Sequence, residues 1–240
     1  MEIKDAIGDN LFAENAAWTF QGKAENFQNH LRRSIPMYEE SHFLICLISD
    51  YFIKPQSKII DLGCSTGSLL AKLAERHKDS SIQFEGIDAE PEMIEKAKQN
   101  QHDPRVSFRA ASALSLNSIP VDLILSFYTI QFVPLDERKK LYNIIYKNLK
   151  PGGAFLLFEK TEESRASFQE IFAGLYHEYK IHQGYSEKEI LTKSRSLKGR
   201  LIPLTSKENR RLLRNAGFTK TTRIFKYLFF EGLLAIKERI

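Results

Sequence analysis

Cysteine is scarce in this chain. Cys46 and Cys64 are the only two and form no C-x-x-C pair, which excludes a disulfide framework and a thiolate metal knuckle as organising devices. The six histidines do not cluster at ligand spacing, so no metal site is expected. No run approaches the roughly 20 uninterrupted apolar residues that a membrane-spanning helix requires. The most apolar stretch, Tyr227 to Ile236, is broken by Glu231, and no membrane association is expected. Repeats, low-complexity tracts and Pro/Gly-rich linkers are also missing. The opening Met1-Glu2-Ile3-Lys4-Asp5 lacks the basic-then-apolar layout of a secretion signal, and a cytoplasmic setting is the expectation. At 240 residues the chain suits one substantial core rather than two enzyme domains, so a single unit over 1–240 is expected.

What is present is a strand that ends on an aspartate and turns through two glycines into an apolar helix: Ile59-Ile60-Asp61-Leu62-Gly63-Cys64-Ser65-Thr66-Gly67. A side chain at Gly63 or Gly67 would obstruct a ligand, while the following helix N-terminus offers free backbone N–H groups to a carboxylate or phosphate. Ser65 stands where the dinucleotide fingerprint has its middle glycine, so that fingerprint is half matched. The second feature is Phe84-Glu85-Gly86-Ile87-Asp88, a short strand ending in an acid about 20 residues after the turn, the spacing at which a carboxylate grips ribose hydroxyls. The two together point to an adenosine-containing cofactor. Cys64 is read as filling space beneath the turn rather than reacting.

Around this turn the pattern alternates. Strands are expected at Lys58 to Leu62, Gln83 to Ile87, Val106 to Ala110, Val121 to Phe127 and Ala154 to Phe158. Between them lie helices at Ser68 to Arg76, Pro91 to Gln99 and Leu135 to Leu149, and Lys150-Pro151-Gly152-Gly153 reads as a turn. Alternation of this kind argues for a parallel, doubly wound α/β sheet. The opening 1–52 reads as helical pieces capping the pocket. Glu162 to Lys180 and Ser186 to Ser196 read as a helical insertion spanning 162–200. A helix over Ser206 to Asn215, capped by Gly217, precedes two β-rich runs, Thr221 to Tyr227 and Phe229 to Lys237, that can close as a hairpin.

This order resembles the Rossmann-like class I methyltransferase fold, a seven-stranded, mostly parallel sheet with a C-terminal antiparallel hairpin. More specifically, the chain resembles the carboxy-S-adenosyl-L-methionine synthases nearly end to end. The resemblance rests on Trp18-Thr19-Phe20, Arg33-Ser34-Ile35-Pro36-Met37-Tyr38, Asp61-Leu62-Gly63-Cys64-Ser65, Gln131-Phe132, Pro151-Gly152-Gly153-Ala154 with Glu159-Lys160, Gly184-Tyr185-Ser186-Glu187 and the Lys193 to Ser196 stretch. It implies binding of S-adenosyl-L-methionine and transfer of a carboxyl group from prephenate onto the sulfonium methyl. The product, carboxy-S-adenosyl-L-methionine, serves modification of the tRNA wobble uridine. It also implies a homodimer. Carried over by position, Tyr38, Gly63, Cys64, Ser65 and Asp88 contact the cofactor, with Gly67 in the same turn. Ala89, Ser112 (or Ala111) and Ser126 occupy cofactor-facing positions where the family has other polar residues. Arg195 is the expected grip on the added carboxylate, with Ser194 one register away, and Arg195 and Tyr38 are expected nearest the chemistry.

Two other functions stay open at this stage. One is conventional methyl transfer to a small molecule, releasing S-adenosylhomocysteine, with His177, His182, Tyr128, Tyr185 and Glu159 as possible bases or positioning groups. The other is a binding module. Between Leu191 and Lys226 eleven basic residues are opposed only by Glu208, within a chain whose net charge is +5. Such a stripe can contact RNA phosphates, receive an anionic substrate or be a solvated face. It lacks stacking aromatics before Phe218, so direct nucleic-acid binding is not expected.

Overall fold

The structure, a computed structural model, describes residues 4–9, 11–14, 20, 24–116 and 120–239. Trp18-Thr19 lies outside them. The apolar strands β3 (Lys58–Leu62), β4 (Gln83–Asp88), β5 (Val106–Ala110) and β6 (Val121–Phe127) run parallel, and β7 (Leu149–Glu162) continues the parallel set beside β6. β9 (Lys220–Tyr227) and β10 (Phe230–Ile236) form the antiparallel hairpin, with β10 against β7. The sheet order is β5-β4-β3-β6-β7-β10-β9. Seven strands therefore lie as the sequence leads one to expect.

The central strands are apolar on both faces because both are covered. One face of the sheet, with Ile59, Phe84, Leu123 and Leu156, packs on α2 (Tyr38–Ser49) and α3 (Ser68–Arg76), the latter through Leu69, Leu70 and Leu73. The opposite face, with Ile60, Leu62, Ile124 and Phe155, packs on α5 (Leu135–Asn148) and α8 (Ser206–Ala216). Between β4 and β5 runs α4 (Pro91–Asn100), whose proline occupies the first turn, where its missing N–H costs nothing. α8 is bounded by a Thr205–Glu208 capping box and by Gly217 in the left-handed conformation, φ 117°.

Three expectations are corrected. The N-terminal cap is not all helical: an antiparallel ribbon, β1 (Lys4–Gly8) and β2 (Leu11–Glu14), precedes α1 (Ala24–Ser34). Ile7 and Leu11 bury themselves against Phe27 and Met93, so the ribbon is stabilised by packing that local periodicity does not reveal. The Lys150–Gly153 turn lies inside β7 as an irregularity, where the register jumps from Val121↔Leu149 to Leu123↔Ala154 and Gly152 takes φ 83°. Finally, Glu162 does not open the insertion. It extends β7 and pairs with Thr205 of a two-residue strand, β8 (Leu204–Thr205), so α6 begins later (Ala166–His182), followed by α7 (Glu187–Ser196). Among the described residues no helix is long and apolar enough to cross a membrane.

Candidate functional site

The turn after β3 is built from backbone. Gly63, Ser65 and Gly67 all have positive φ (73°, 50° and 78°), and alternation of this kind turns successive N–H groups toward one concave side. The Gly63 and Cys64 N–H groups donate to the Ile87 carbonyl at 2.7 and 3.1 Å, stitching the turn to the end of β4. α3 starts at Ser68 with no side-chain cap, leaving its first N–H groups available to an anion. The glycines are demanded by packing as well as by φ. A Cβ on Gly63 would collide with the Thr129 side chain, and one on Gly67 would lie 2.7 Å from Phe108 Cζ. Cys64 is buried beneath the turn, its thiol pushed well above the ordinary range by burial and then by Asp61 and Asp88, which fits a space-filling role.

Two carboxylates flank the turn. Asp61, on β3, is 2 % exposed, and its Oδ1 has no hydrogen-bond partner. Burial, and next the charge of Asp88, raise its carboxyl to about 7. Asp88, at the end of β4, accepts the Ser65 N–H at 2.8 Å through Oδ2 and the Glu90 N–H at 2.9 Å through Oδ1. Burial raises its pKa, and the backbone donors oppose that shift. Each Asp88 oxygen retains a second lone pair for a hydroxyl. An unpartnered buried acid beside a second acid, next to an uncapped helix N-terminus, suits a ligand with an ammonium, a carboxylate and vicinal hydroxyls. That donor set matches S-adenosylmethionine.

The structure brings Tyr38 to this place: its ring is buried and its hydroxyl lies 3.3 Å from Ser68 Oγ, at the first residue of α3. Burial pushes the phenol up to about 12. Ala89 and Ser112 are exposed beyond β4 and β5, and the Ala111 N–H donates to the Asp88 carbonyl at 2.8 Å. Ser112 accepts the Leu114 N–H at 3.2 Å. Ser126, near the end of β6, is 1 % exposed with an unpartnered Oγ. Arg195 is not drawn inward. It is exposed on α7, and its guanidinium takes no hydrogen bond or ion pair among the described residues. Two residues earlier, and so about 200° around the helix, Lys193 turns in to His30 and, at 3.0 Å, to Ser34 Oγ.

The candidate bases divide. Glu159 is buried and raised to about 8 by burial, and it accepts the Ile130 N–H at 3.1 Å. The Tyr128 hydroxyl is buried and unpartnered on a residue with φ 57°. Tyr185 donates to Asp9 and is committed to the cap, while His182 is exposed on α6. In the sequence Asp61 reads only as the end of a strand, and nothing local marks Asp9. The buried Asp9 side chain gathers bonds from His30 Nδ1 (3.1 Å), Asn29 Nδ2 (2.9 Å), Arg33 and Tyr185, tying the ribbon to α1 and to the α6–α7 turn. The basic stripe is partly neutralised by acids from elsewhere in the fold. Arg223 pairs with Glu231 at 2.6 Å, Lys226 with Glu163 at 3.0 Å and Lys220 with Glu238 at 3.8 Å. Among the described residues no group of three or more His, Cys, Asp or Glu is placed to hold a metal ion.

A family model described as a methyltransferase domain matches residues 53–217. A carboxy-S-adenosyl-L-methionine synthase of Staphylococcus epidermidis is 32 % identical over 222 residues, covering 92 % of this chain and 97 % of that protein. One of Nautilia profundicola is 37 % identical over 216 residues, covering 89 % and 92 %. Among solved structures, human N-acetylserotonin methyltransferase in complex with SAM superposes with TM-score 0.61 at 18 % identity, covering 91 % of this chain and 56 % of that one. The S-adenosylmethionine-dependent methyltransferase SibL in its apo form gives TM-score 0.64 at 17 % identity, covering 91 % and 60 %.

Proposed function

The chain belongs to the carboxy-S-adenosyl-L-methionine synthase family of methyltransferase-fold enzymes, and from that premise we propose that it converts S-adenosylmethionine and prephenate to carboxy-S-adenosyl-L-methionine for tRNA wobble-uridine modification. The observation that carries the reading to this chain's own residues is the Asp61 carboxylate, buried and unpartnered beside a turn of left-handed residues. In this reading Asp61 receives the ligand ammonium, the first N–H groups of α3 hold its carboxylate, and Asp88 accepts the ribose hydroxyls. Ala89 and Ser112 border the adenine, Tyr38 and Ser126 stand toward the sulfonium, and Gly63, Cys64, Ser65 and Gly67 shape the wall. When bound, the ligand would supply a sulfonium methyl acidified by the adjacent sulfur cation, able to exchange one proton for the carboxyl group that prephenate gives up, with the proton leaving as water with prephenate's hydroxide. The protein's part is to position it, to exclude water with the Tyr38 and Phe127 rings, which lie 5.6 Å apart, and to hold the incoming carboxylate.

Incubation with S-adenosylmethionine and prephenate, followed by mass spectrometry, tests this. A product heavier than S-adenosylmethionine by one carboxyl group is expected, and its absence in the presence of both substrates removes the reading. Methyl transfer to a small molecule is the second reading, favoured by one observation, the outward position of Arg195. Accumulation of S-adenosylhomocysteine with a methylated acceptor would establish it. Arg195→Lys separates the two, because a guanidinium fork matches a carboxylate bidentately and an ammonium does not. If Arg195 grips the product, the carboxylated ligand loses more affinity than S-adenosylmethionine.

The same reading includes a homodimer. The exposed apolar residues Phe43 and Leu47 on α2, Tyr51 in the turn after it, and Phe168, Ile171 and Leu175 on α6 support it. Free buried Cys46 and Cys64 support a reducing, cytoplasmic setting.

A further inference from the structure

Three lysines from three separate elements meet around one tyrosine. Lys160, on β7, places Nζ 5.0 Å from the Tyr176 ring centroid and 4.6 Å from that of Phe229. Lys180, on α6, places Nζ 4.5 Å from the same Tyr176 centroid. Lys193, on α7, donates to Ser34 Oγ at 3.0 Å, and the backbone carbonyl of that serine accepts the Tyr176 hydroxyl at 2.8 Å. Lys180 and Lys193 also line one narrow cleft with Ser34, Tyr185 and Glu189, whose carboxylate accepts the Ser186 N–H and hydroxyl at 2.8 and 2.7 Å.

All three side chains are half-buried. Among the described residues, neither Lys160 nor Lys180 has a carboxylate at ion-pair distance; the nearby Glu162 and Glu163 do not close on them, and Glu163 pairs with Lys226. Burial lowers Lys160 and Lys180 to about 8, and Lys193 falls well below the lysine range through burial and the repulsion of the other two, against the opposing charge of Asp9. Taking the Lys160 and Lys180 ammonium groups out of water with no carboxylate in contact is unfavourable, and ring faces offset only part of it. A bound anion would offset the rest.

The location indicates which anion. Lys160 lies at the C-terminal end of β7, two strands and so about 10 Å from the β3 turn. Between them runs an aromatic wall from Tyr176 through Phe230, Tyr128 and Phe127 to Tyr38, with successive centroids 5.2, 5.7, 4.6 and 5.6 Å apart. We propose that Lys160 and Lys180, with Lys193 beneath them, form an anion subsite that holds a carboxylate of the second substrate on the acceptor side of the cofactor turn. The choice of a carboxylate rests on the carboxyl-transfer reading; the presence of an anion subsite does not.

The test is calorimetric titration of full-length protein, saturated with S-adenosylhomocysteine, using prephenate, malonate and inorganic phosphate in separate arms. Prephenate is expected to bind, with Lys160→Gln and Lys180→Gln each weakening it at least about tenfold, and Lys180→Arg remaining within about threefold because the charge is kept. Thermal melting of each variant establishes that it is folded. Equal prephenate affinity in wild type and in the folded Lys160→Gln/Lys180→Gln double variant overturns the proposal, as does wild-type protein that takes up none of the three anions. Phosphate binding tighter than either carboxylate overturns the carboxylate assignment. Lysine-dependent prephenate binding without a carboxylated product upholds the subsite and removes the carboxyl-transfer reading.

Discussion

Asp61 and Asp88 lie on one face of adjacent parallel strands, and burial together with the Asp88 charge holds the Asp61 carboxyl protonated up to about pH 7. A cationic group entering this place displaces that proton. Affinity for S-adenosylmethionine is therefore expected to rise as pH increases through about 7 and then level off, with proton release on binding below that pH. The ligand-free protein has the opposite slope. Because the folded value lies above the ordinary 3.8, the stability contributed by neutral Asp61 is full below about pH 4 and is lost as pH rises through 7. Calorimetry in buffers of different ionisation enthalpy measures the release, and Asp61→Asn should flatten the profile. A flat wild-type profile would take Asp61 out of the site.

Asp88 is expected to act twice, on the turn and on the ligand. Asp88→Ala removes the acceptor of the Ser65 and Glu90 N–H groups, and cofactor affinity should fall by about 1–3 kcal/mol. Asp88→Asn keeps one acceptor oxygen, so it should restore the melting temperature more fully than it restores affinity. Unaltered affinity in the alanine variant would leave Asp88 a purely structural residue.

The cap should depend on Asp9. Burial alone would raise its carboxyl, yet hydrogen bonds from His30, Tyr185 and Arg33 outweigh burial and hold it well below the carboxylate range. Asp9→Ala leaves Arg33 and His30 without this partner, and urea unfolding should show a loss of about 3–5 kcal/mol, the cost typical of breaking a buried charged pair. Tyr185→Phe removes one hydroxyl and should cost about 1 kcal/mol. Equal losses in the two variants would contradict the central position of Asp9.

Acid should weaken the packing between α2 and the sheet. His42 is buried against Tyr38 (4.3 Å between centroids) and Phe127 (4.7 Å), and burial, then Lys72, lower its pKa to about 3. His30 is lowered to about 4 by burial and then Lys193. Both folded values lie below the unfolded 6.5, so the stability of the neutral rings is present above pH 6.5 and lost as pH falls toward 4 and 3. Asp61 titrates in the opposite sense, and the difference between wild type and His42→Phe isolates the histidine. Melting temperatures from pH 7 to 4 should fall less in the variant. Parallel curves would count against His42.

Much of this was legible locally. The boundaries of β3, β5, β6 and α3 follow from short apolar runs and from Gly67, because strand and helix periods are set by neighbours a few residues apart. The ribbon of β1 and β2 was not legible, since Ile7 and Leu11 are held by Phe27 and Met93 from distant parts of the chain. β8 was missed because two residues carry no period. In the site, Asp88 and the turn were visible through their spacing, whereas the reason for Gly63 was not, because Thr129 lies 66 residues away.

The sequence by itself determined the alternation of strands and helices, the glycine turn with its two acids, and the family to which these belong, since each is written in contiguous residues. The tertiary structure decided where charge is exposed and where it is confined. It paired Arg223 and Lys226 with Glu231 and Glu163, turned Arg195 outward and Lys193 inward, and gathered Lys160, Lys180 and Lys193 around Tyr176. Desolvation and Coulomb interactions depend on distance and burial, and for these residues both are set by the crossing of elements far apart in the chain.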